Sequence, residues 1–360
     1  MRPEGKAVHG GEPRQYSPSL YRMPTLPLTR EEVASVSSLQ KTVAVASTAL
    51  VLVAFIIGSG TAQAAPPSRS FTIAAVGDIA CAQDPGNNLK VCQYDDVAAL
   101  VASMNVDRFL VLGDVQYESG EYENFVRYYD PSFGPLLSIT EPAPGNHDYG
   151  TSGAAGYFAY FGEAAHGPHG YYSFDLGSWH IISLNSQDCR VGFPVTVASN
   201  CGPGSPMYEW LKEDLSRHPN RRFPCTIAYW HHPLFDWEPY SNADWFPTWD
   251  TGPQKPLWEL LDANSADMVL VGHAHNYQRW APQHADGNAD PNGITQFVVG
   301  TGGRSLTSLG HPPQPANLVS AQDFAFGVLQ MTLGDGGYAF EWASAPGQPA
   351  YSDSGTGLCH

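Results

Sequence analysis

Positive charge is scarce in this chain: 18 Lys and Arg stand against 35 Asp and Glu in 360 residues, a formal net of −17. Beyond residue 64 the balance is 12 against 31. A surface of that sign repels a phosphodiester backbone, which disfavours a nucleic-acid partner and leaves solubility as the plain reading of the excess. The six cysteines, at 81, 92, 189, 201, 225 and 359, include no CxxC pair, so a cysteine-built zinc site is not expected. No internal repeat is evident. Charged residues make up only 15% of the chain, yet 42% is hydrophobic and 12% aromatic, enough for a large core. The 36 Gly and 30 Pro then point to long loops rather than disorder.

Long apolar runs are few. Val43 to Ile57 is broken only by Ser47 and Thr48, with Lys41 before it and Ala62-Gln63-Ala64 after it. That reads as a signal-peptide core with a small-residue cleavage site, and Met23 offers a second possible start. An uncleaved anchor is the alternative, because Thr42 to Gly60 could nearly span a bilayer. Residues 1–64 are therefore expected to be an N-terminal extension, 65–70 a linker, 71–345 one domain, and 346–360 a tail. The chain is read as secreted or extracytoplasmic, or else anchored facing outside, with no stable membrane partner if the signal is cleaved. All six cysteines follow the cleavage site, and an even number in an exported chain reads as disulfides. Fifteen pairings are possible. Cys81 with Cys92 and Cys189 with Cys201 close short loops, leaving Cys225 and Cys359 for each other.

Phe71 to Val76 and Arg108 to Leu112 are apolar runs that end in Gly-Asp, as buried strands entering loops would. Helices are expected over 95–104, over 121–129 stopped by Pro131, over 205–217 with Ser205 as cap, and over 256–264. Hairpins are expected around Leu176-Gly177-Ser178 and between Phe326–Leu333 and Tyr338–Ala343. Further strands are expected at 226–230, 268–271 and 294–299. The mixture predicts an α/β fold of two packed β-sheets with helices outside.

Five short fragments sit where these strands hand over to loops: Gly77-Asp78, Gly113-Asp114-Val115-Gln116-Tyr117, Gly145-Asn146-His147-Asp148, His231-His232-Pro233 and Gly272-His273-Ala274-His275. Together they offer carboxylates, an amide oxygen, a phenol and imidazoles, the donor types that hard and borderline cations take. One shared carboxylate can fix two cations and bring a hydroxide between them, a nucleophile at ordinary pH.

In this order the fragments resemble the calcineurin-like metallophosphoesterases, and the Tyr of GDxxY is similar to their purple acid phosphatase branch, of the small single-domain kind. The resemblance implies a four-layer αββα sandwich and a first metal held by Asp78, Asp114, Tyr117 and His275. It implies a second held by Asp114, Asn146, His231 and His273, with Asp114 bridging. A phenolate favours Fe(III) at the first position; the second is open among Fe, Zn and Mn. Position 80 is Ala, where the wider superfamily has a ligating His, and Tyr117 would make good that loss. His147 is implied as the residue that steadies phosphoryl oxygens or protonates the leaving group, oriented by Asp148. No His lies between His232 and His273, so a second general acid is not expected there.

His232 is read as a packing or rim residue, with substrate contact the alternative. Arg279 and Arg304 could meet phosphate, although surface roles are the simpler reading. The aromatic loop from Phe235 to Trp258 either packs on itself or walls the alcohol part of a substrate. The expected activity is hydrolysis of small phosphomonoesters. Phosphodiesters, including cyclic nucleotides, are the alternative substrate, and a non-catalytic envelope binding protein is the alternative class. The sequence is silent on oligomeric state.

Overall fold

The computed structural model describes residues 69–82, 92–189, 201–218, 224–238 and 252–360. The expected signal segment and the aromatic residues Tyr240, Trp245, Phe246 and Trp249 lie outside them.

Among the described residues thirteen strands form two sheets. The first contains β1 (Phe71–Val76), β2 (Arg108–Leu112), β3 (Thr140–Ala143), β11 (Gly327–Gly334), β12 (Gly337–Ser344) and β13 (Ser352–Leu358), in the order β13-β12-β11-β1-β2-β3. The second contains β4 (Tyr172–Leu176), β5 (Trp179–Ser183), β6 (Cys225–Tyr229), β7 (Met268–Val271), β8 (Tyr277–Gln283), β9 (Ile294–Val299) and β10 (Leu318–Gln322), in the order β10-β8-β9-β7-β6-β5-β4. Both are mixed. β1, β2 and β3 run parallel, as do β5, β6, β7 and β9, and the flanking pairs are antiparallel. Among the described residues the α-helices are α1 (Tyr94–Ser103), α2 (Tyr122–Asn124), α3 (Asp130–Phe133), α4 (Ala155–Phe161), α5 (Pro206–Arg217) and α6 (Lys255–Asp262).

Why the central strands read as unbroken apolar runs is visible in their neighbours. Along β6 and β7, Ile227, Tyr229, Met268 and Leu270 face the core shared with β1 and β2. Ala228, Val269 and Val271 face a second core with Met207 and Leu211 of α5 and Leu257 and Leu261 of α6. A strand covered on both faces has no side on which polar residues would be favoured. Ser205 caps α5, its hydroxyl accepting from Tyr208 N–H at 3.4 Å.

Two expectations are corrected. Pro131 does not stop the helix that begins at Tyr122: the winding widens to a π turn over Phe125–Tyr129 and continues as α3. A wider turn accommodates the ring and the missing N–H that would break an α-helix. The segment read as a tail instead forms β13, paired antiparallel along β12 from Ser352 to Leu358. Alternating small polar residues in SDSGTGL carry little apolar signal, which is why an edge strand was not apparent there. β3, β8 and β10 were also unmarked in the sequence.

The three disulfides are Cys81–Cys92, Cys189–Cys201 and Cys225–Cys359, the pairing expected from loop lengths. Among the described residues no helix is long and apolar enough to cross a membrane.

Candidate metal centre

The carboxyl ends of the parallel strands of both sheets meet at one mouth. Asp78 follows β1, Asp114 follows β2 and Asn146 follows β3, while His231 follows β6, and His273 and His275 follow β7. Direct backbone bonds tie the sheets there: Gly77 N–H donates to Val299 O at 2.9 Å and Gly302 N–H to Gly77 O at 3.0 Å.

Side chains are aimed inward by unusual backbone. Asp78, Asp114 and His273 all have left-handed φ, at 62°, 47° and 70°. Non-glycine residues tolerate that region at a cost, and such strain concentrates where a side chain must face a site. The motif glycines make room for them. Gly113 has φ +84°, and a Cβ there would lie 2.6 Å from His231 Nδ1. A Cβ at Gly145 would run into Asp114 Oδ1.

Tyr117 Oη lies 2.7 Å from Asp78 Oδ1, 2.9 Å from Asp114 Oδ2 and 2.9 Å from His275 Nε2. His231 Nε2 lies 3.1 Å from Asp114 Oδ2, 3.2 Å from Asn146 Oδ1 and 3.2 Å from His273 Nδ1. The seven residues thus fall into two sets of four that share Asp114 Oδ2. Two histidines are held by their far nitrogens, His231 Nδ1–H donating to Leu112 O at 2.9 Å and His275 Nδ1–H to Ser305 O at 2.7 Å. That fixes each Nε2 toward the mouth, as in rings prepared for a cation.

As a hydrogen-bond network the cluster has too many acceptors. One phenolic proton faces two carboxylates and an imidazole, with Asp78 and Asp114 both fully buried. The titration behaviour points the same way. Burial opposes a charged His231, yet the Asp114 carboxylate overrides it and lifts the ring to about 9. Burial likewise pushes Asp114 up, but His231, then His147 and His273, hold it below the usual carboxylate range. Burial, then Asp114 and Asp78, push the Tyr117 phenol well above its ordinary value. Concentrated negative charge of this kind calls for positive charge, and the donor set of carboxylate, phenol, amide oxygen and imidazole fits metal cations.

The remaining expected site residues separate. His147 stands at the mouth, its ring centroid 4.2 Å from that of Tyr117. Its Nδ1–H donates to Glu118 O at 2.6 Å, so Asp148 does not orient it. The Asp148 carboxylate is buried instead among backbone donors, taking Gly145 N–H at 2.9 Å and Val115 N–H at 3.2 Å. It straps the loop after β3 to the loop after β2. His232 is buried beside the cluster, its ring 4.6 Å from that of His273 and its Nδ1 2.9 Å from Ser186 Oγ. The ring does not face solvent, and one of its nitrogens lies within 4.8 Å of nitrogens of His231 and His273. Arg279 is removed from the site: on β8 it forms a two-pronged ion pair with Asp353 of β13, at 2.7 and 2.9 Å. The orienting carbonyls of Leu112, Ser305 and Glu118 carry no sequence signal, because any residue supplies one.

Comparison with known proteins agrees with this architecture. The profile described as calcineurin-like phosphoesterase matches residues 71–277, more than half the chain, and the chain belongs to that family. Its homologues are purple acid phosphatases. It is 30% identical over 164 residues to purple acid phosphatase 18 of Arabidopsis thaliana, covering 45% of this chain and 34% of the relative. It is 26% identical over 257 residues to human acid phosphatase type 7, covering 63% and 56%. A nucleotide pyrophosphatase/phosphodiesterase of Hordeum vulgare is 25% identical over 241 residues, covering 57% and 59%. The chain thus spans between a third and three-fifths of these relatives' length. Among solved structures, the purple acid phosphatase PPD1 of yellow lupin superposes with a TM-score of 0.67 at 20% identity, covering 80% of this chain and 54% of that one.

Proposed function

We propose that this chain is an exported, dinuclear-metal phosphatase that hydrolyses small phosphomonoesters. The observation that carries the reading is the position of Asp114 Oδ2, 2.9 Å from Tyr117 Oη and 3.1 Å from His231 Nε2, between two complete donor sets. Asp78, Asp114, Tyr117 and His275 would hold one cation, and Asp114, Asn146, His231 and His273 the other. Such a pair, when bound, supplies Lewis acidity toward phosphoryl oxygens and acidifies a water enough to attack phosphorus in line. Fe(III) suits the phenol-bearing set, with Fe, Zn or Mn in the imidazole-rich one.

The chain's own contribution is positioning and proton handling. Leu112 and Ser305 carbonyls lock two imidazoles in the ligating tautomer. His147, with Nδ1–H fixed on Glu118 O, has Nε2 as the atom that can hold a proton for a departing alkoxide. Three disulfides suit an oxidising compartment, which supports export. The Hordeum relative's name supports a second reading in which the same site takes a phosphodiester.

The test is Asp114→Asn in purified protein. Turnover of a chromogenic phosphomonoester is expected to fall at least about a thousandfold, with metal content reduced. Turnover within about tenfold of wild type, with two metals still bound, would refute the shared-carboxylate assignment. A panel of monoesters and diesters separates the two substrate readings.

A further inference from the structure

We propose that Arg304 is the anion clamp of this site, taking phosphoryl oxygens of the substrate, and that Glu118 holds it in reserve; this rests on the phosphatase reading above. A phosphate held by the two cations still has oxygens facing a chain of net charge −17, and a further fixed positive group at the mouth would hold them. The loop after His231-His232-Pro233 supplies no imidazole before His273. Arg304 fills that need from the other side.

Its backbone is fixed to the metal loop itself. Arg304 N–H donates to Asp78 O at 3.0 Å, and Gly302 N–H to Gly77 O at 3.0 Å. Gly303 has φ +139°, and a Cβ there would come within 2.5 Å of the Tyr94 backbone, so the turn that delivers Arg304 needs glycine. The guanidinium then sits with Cζ 5.4 Å from the centre of the Tyr117 ring, the ring that also contacts His147.

Glu118 touches both Arg304 and His147. Its Oε1 accepts from Arg304 Nη2 at 2.7 Å, while its carbonyl accepts from His147 Nδ1 at 2.6 Å. Arg304 Nη1 donates to Ser305 Oγ at 3.2 Å, next to the carbonyl that orients His275. The Arg304 side chain is only 22% exposed, whereas that of Glu118 is 67% exposed. A carboxylate that open to water binds its partner weakly. A phosphate dianion offers the planar fork two charged oxygens and outcompetes it. Arg304 therefore exchanges Glu118 for substrate without moving its own backbone.

A purely structural ion pair predicts that losing either partner has the same effect; a clamp and its competitor predict opposite effects. The experiment measures KM and kcat with para-nitrophenyl phosphate, and the Kd of inorganic phosphate by calorimetry, on metal-loaded wild type, Arg304→Gln, Arg304→Lys and Glu118→Gln. In Arg304→Gln, KM and phosphate Kd are expected to rise about tenfold with kcat within about threefold, the size of one charge-assisted contact. Arg304→Lys should recover part of the loss, and Glu118→Gln should tighten phosphate. Unchanged phosphate binding in Arg304→Gln, or weakening in both Arg304→Gln and Glu118→Gln, would overturn the clamp while leaving the phosphatase reading intact. A wild type that neither binds phosphate nor turns over the ester would overturn both.

Discussion

Tyr117 carries more of the local chemistry than any other single residue. Ala80 cannot ligate, and Tyr117 Oη occupies the space between both carboxylates and His275. Burial and those carboxylates oppose its ionisation, so it becomes a phenolate only where a strong cation offsets them. If that cation is Fe(III), the loaded protein should be coloured by charge transfer from the phenolate. Tyr117→Phe keeps the ring and its packing on His147 while deleting the oxygen. Loss of the visible band, with turnover falling less than in Asp114→Asn, is the expected result. A band that survives would show that Tyr117 is not a ligand, and a colourless protein fully active with other metals would remove iron.

At the scale of elements, Asp148 is the strap between two strand-end loops. Asp148→Ala would strand the buried N–H groups of Gly145 and Val115, at an expected cost of about 2–3 kcal/mol in denaturant unfolding. Metal affinity should fall with it, because Asn146 and Asp114 ride on the strapped loops; unchanged stability would refute the strap. Nothing in Gly145-Asn146-His147-Asp148 distinguished this role from orientation of its neighbour, since both place a carboxylate beside a histidine. The site was legible because strand ends, motif glycines and donor residues are local in sequence. β1, β2, β7 and β9 were legible because covering on both faces leaves them uniformly apolar. β13 and β3 were not, as SDSGTGL and TEPA owe their strand form to a neighbour's open edge and not to their own composition. Arg304 could be seen but not weighed, since its distance to Tyr117 depends on the folding of remote segments.

At the scale of the molecule, a disulfide joins the two sheets. Cys359, one residue past β13, is bonded to Cys225 at the start of β6 across 134 residues, joining the two sheets. Replacing both by alanine is expected to lower the unfolding free energy by about 3–5 kcal/mol. A change below about 1 kcal/mol in urea unfolding would show that the bond adds little. Beside it Asp267 accepts from Thr226 N–H at 2.7 Å and from His360 N–H at 3.0 Å. Burial lifts Asp267 from 3.8 to about 6, against the pull of those donors and of the His360 ring. The folded state thus binds this proton more tightly than the unfolded one. Its stabilising contribution is complete below about pH 4 and is lost as pH rises through about 6. Relative to Asp267→Asn, which does not titrate, the urea midpoint of wild type should fall as pH rises from 4 to 7; a constant difference would refute the shift.

The sheet order also sets a timetable for synthesis. β1 is made early and meets β2 soon after, yet its other edge pairs with β11, Phe71 lying opposite Leu333. A growing chain that stops short of residue 304 has the Asp78 loop but neither the strand that flanks it nor the Arg304 segment that pins it. Until then β1 offers an open apolar edge, which other chains can join. The mouth is therefore complete only after the Arg304 segment and β11 have been made, well after the residues of the Asp78 and Asp114 loops. A ribosome stalled before residue 333 would release an aggregating fragment and not a weak enzyme.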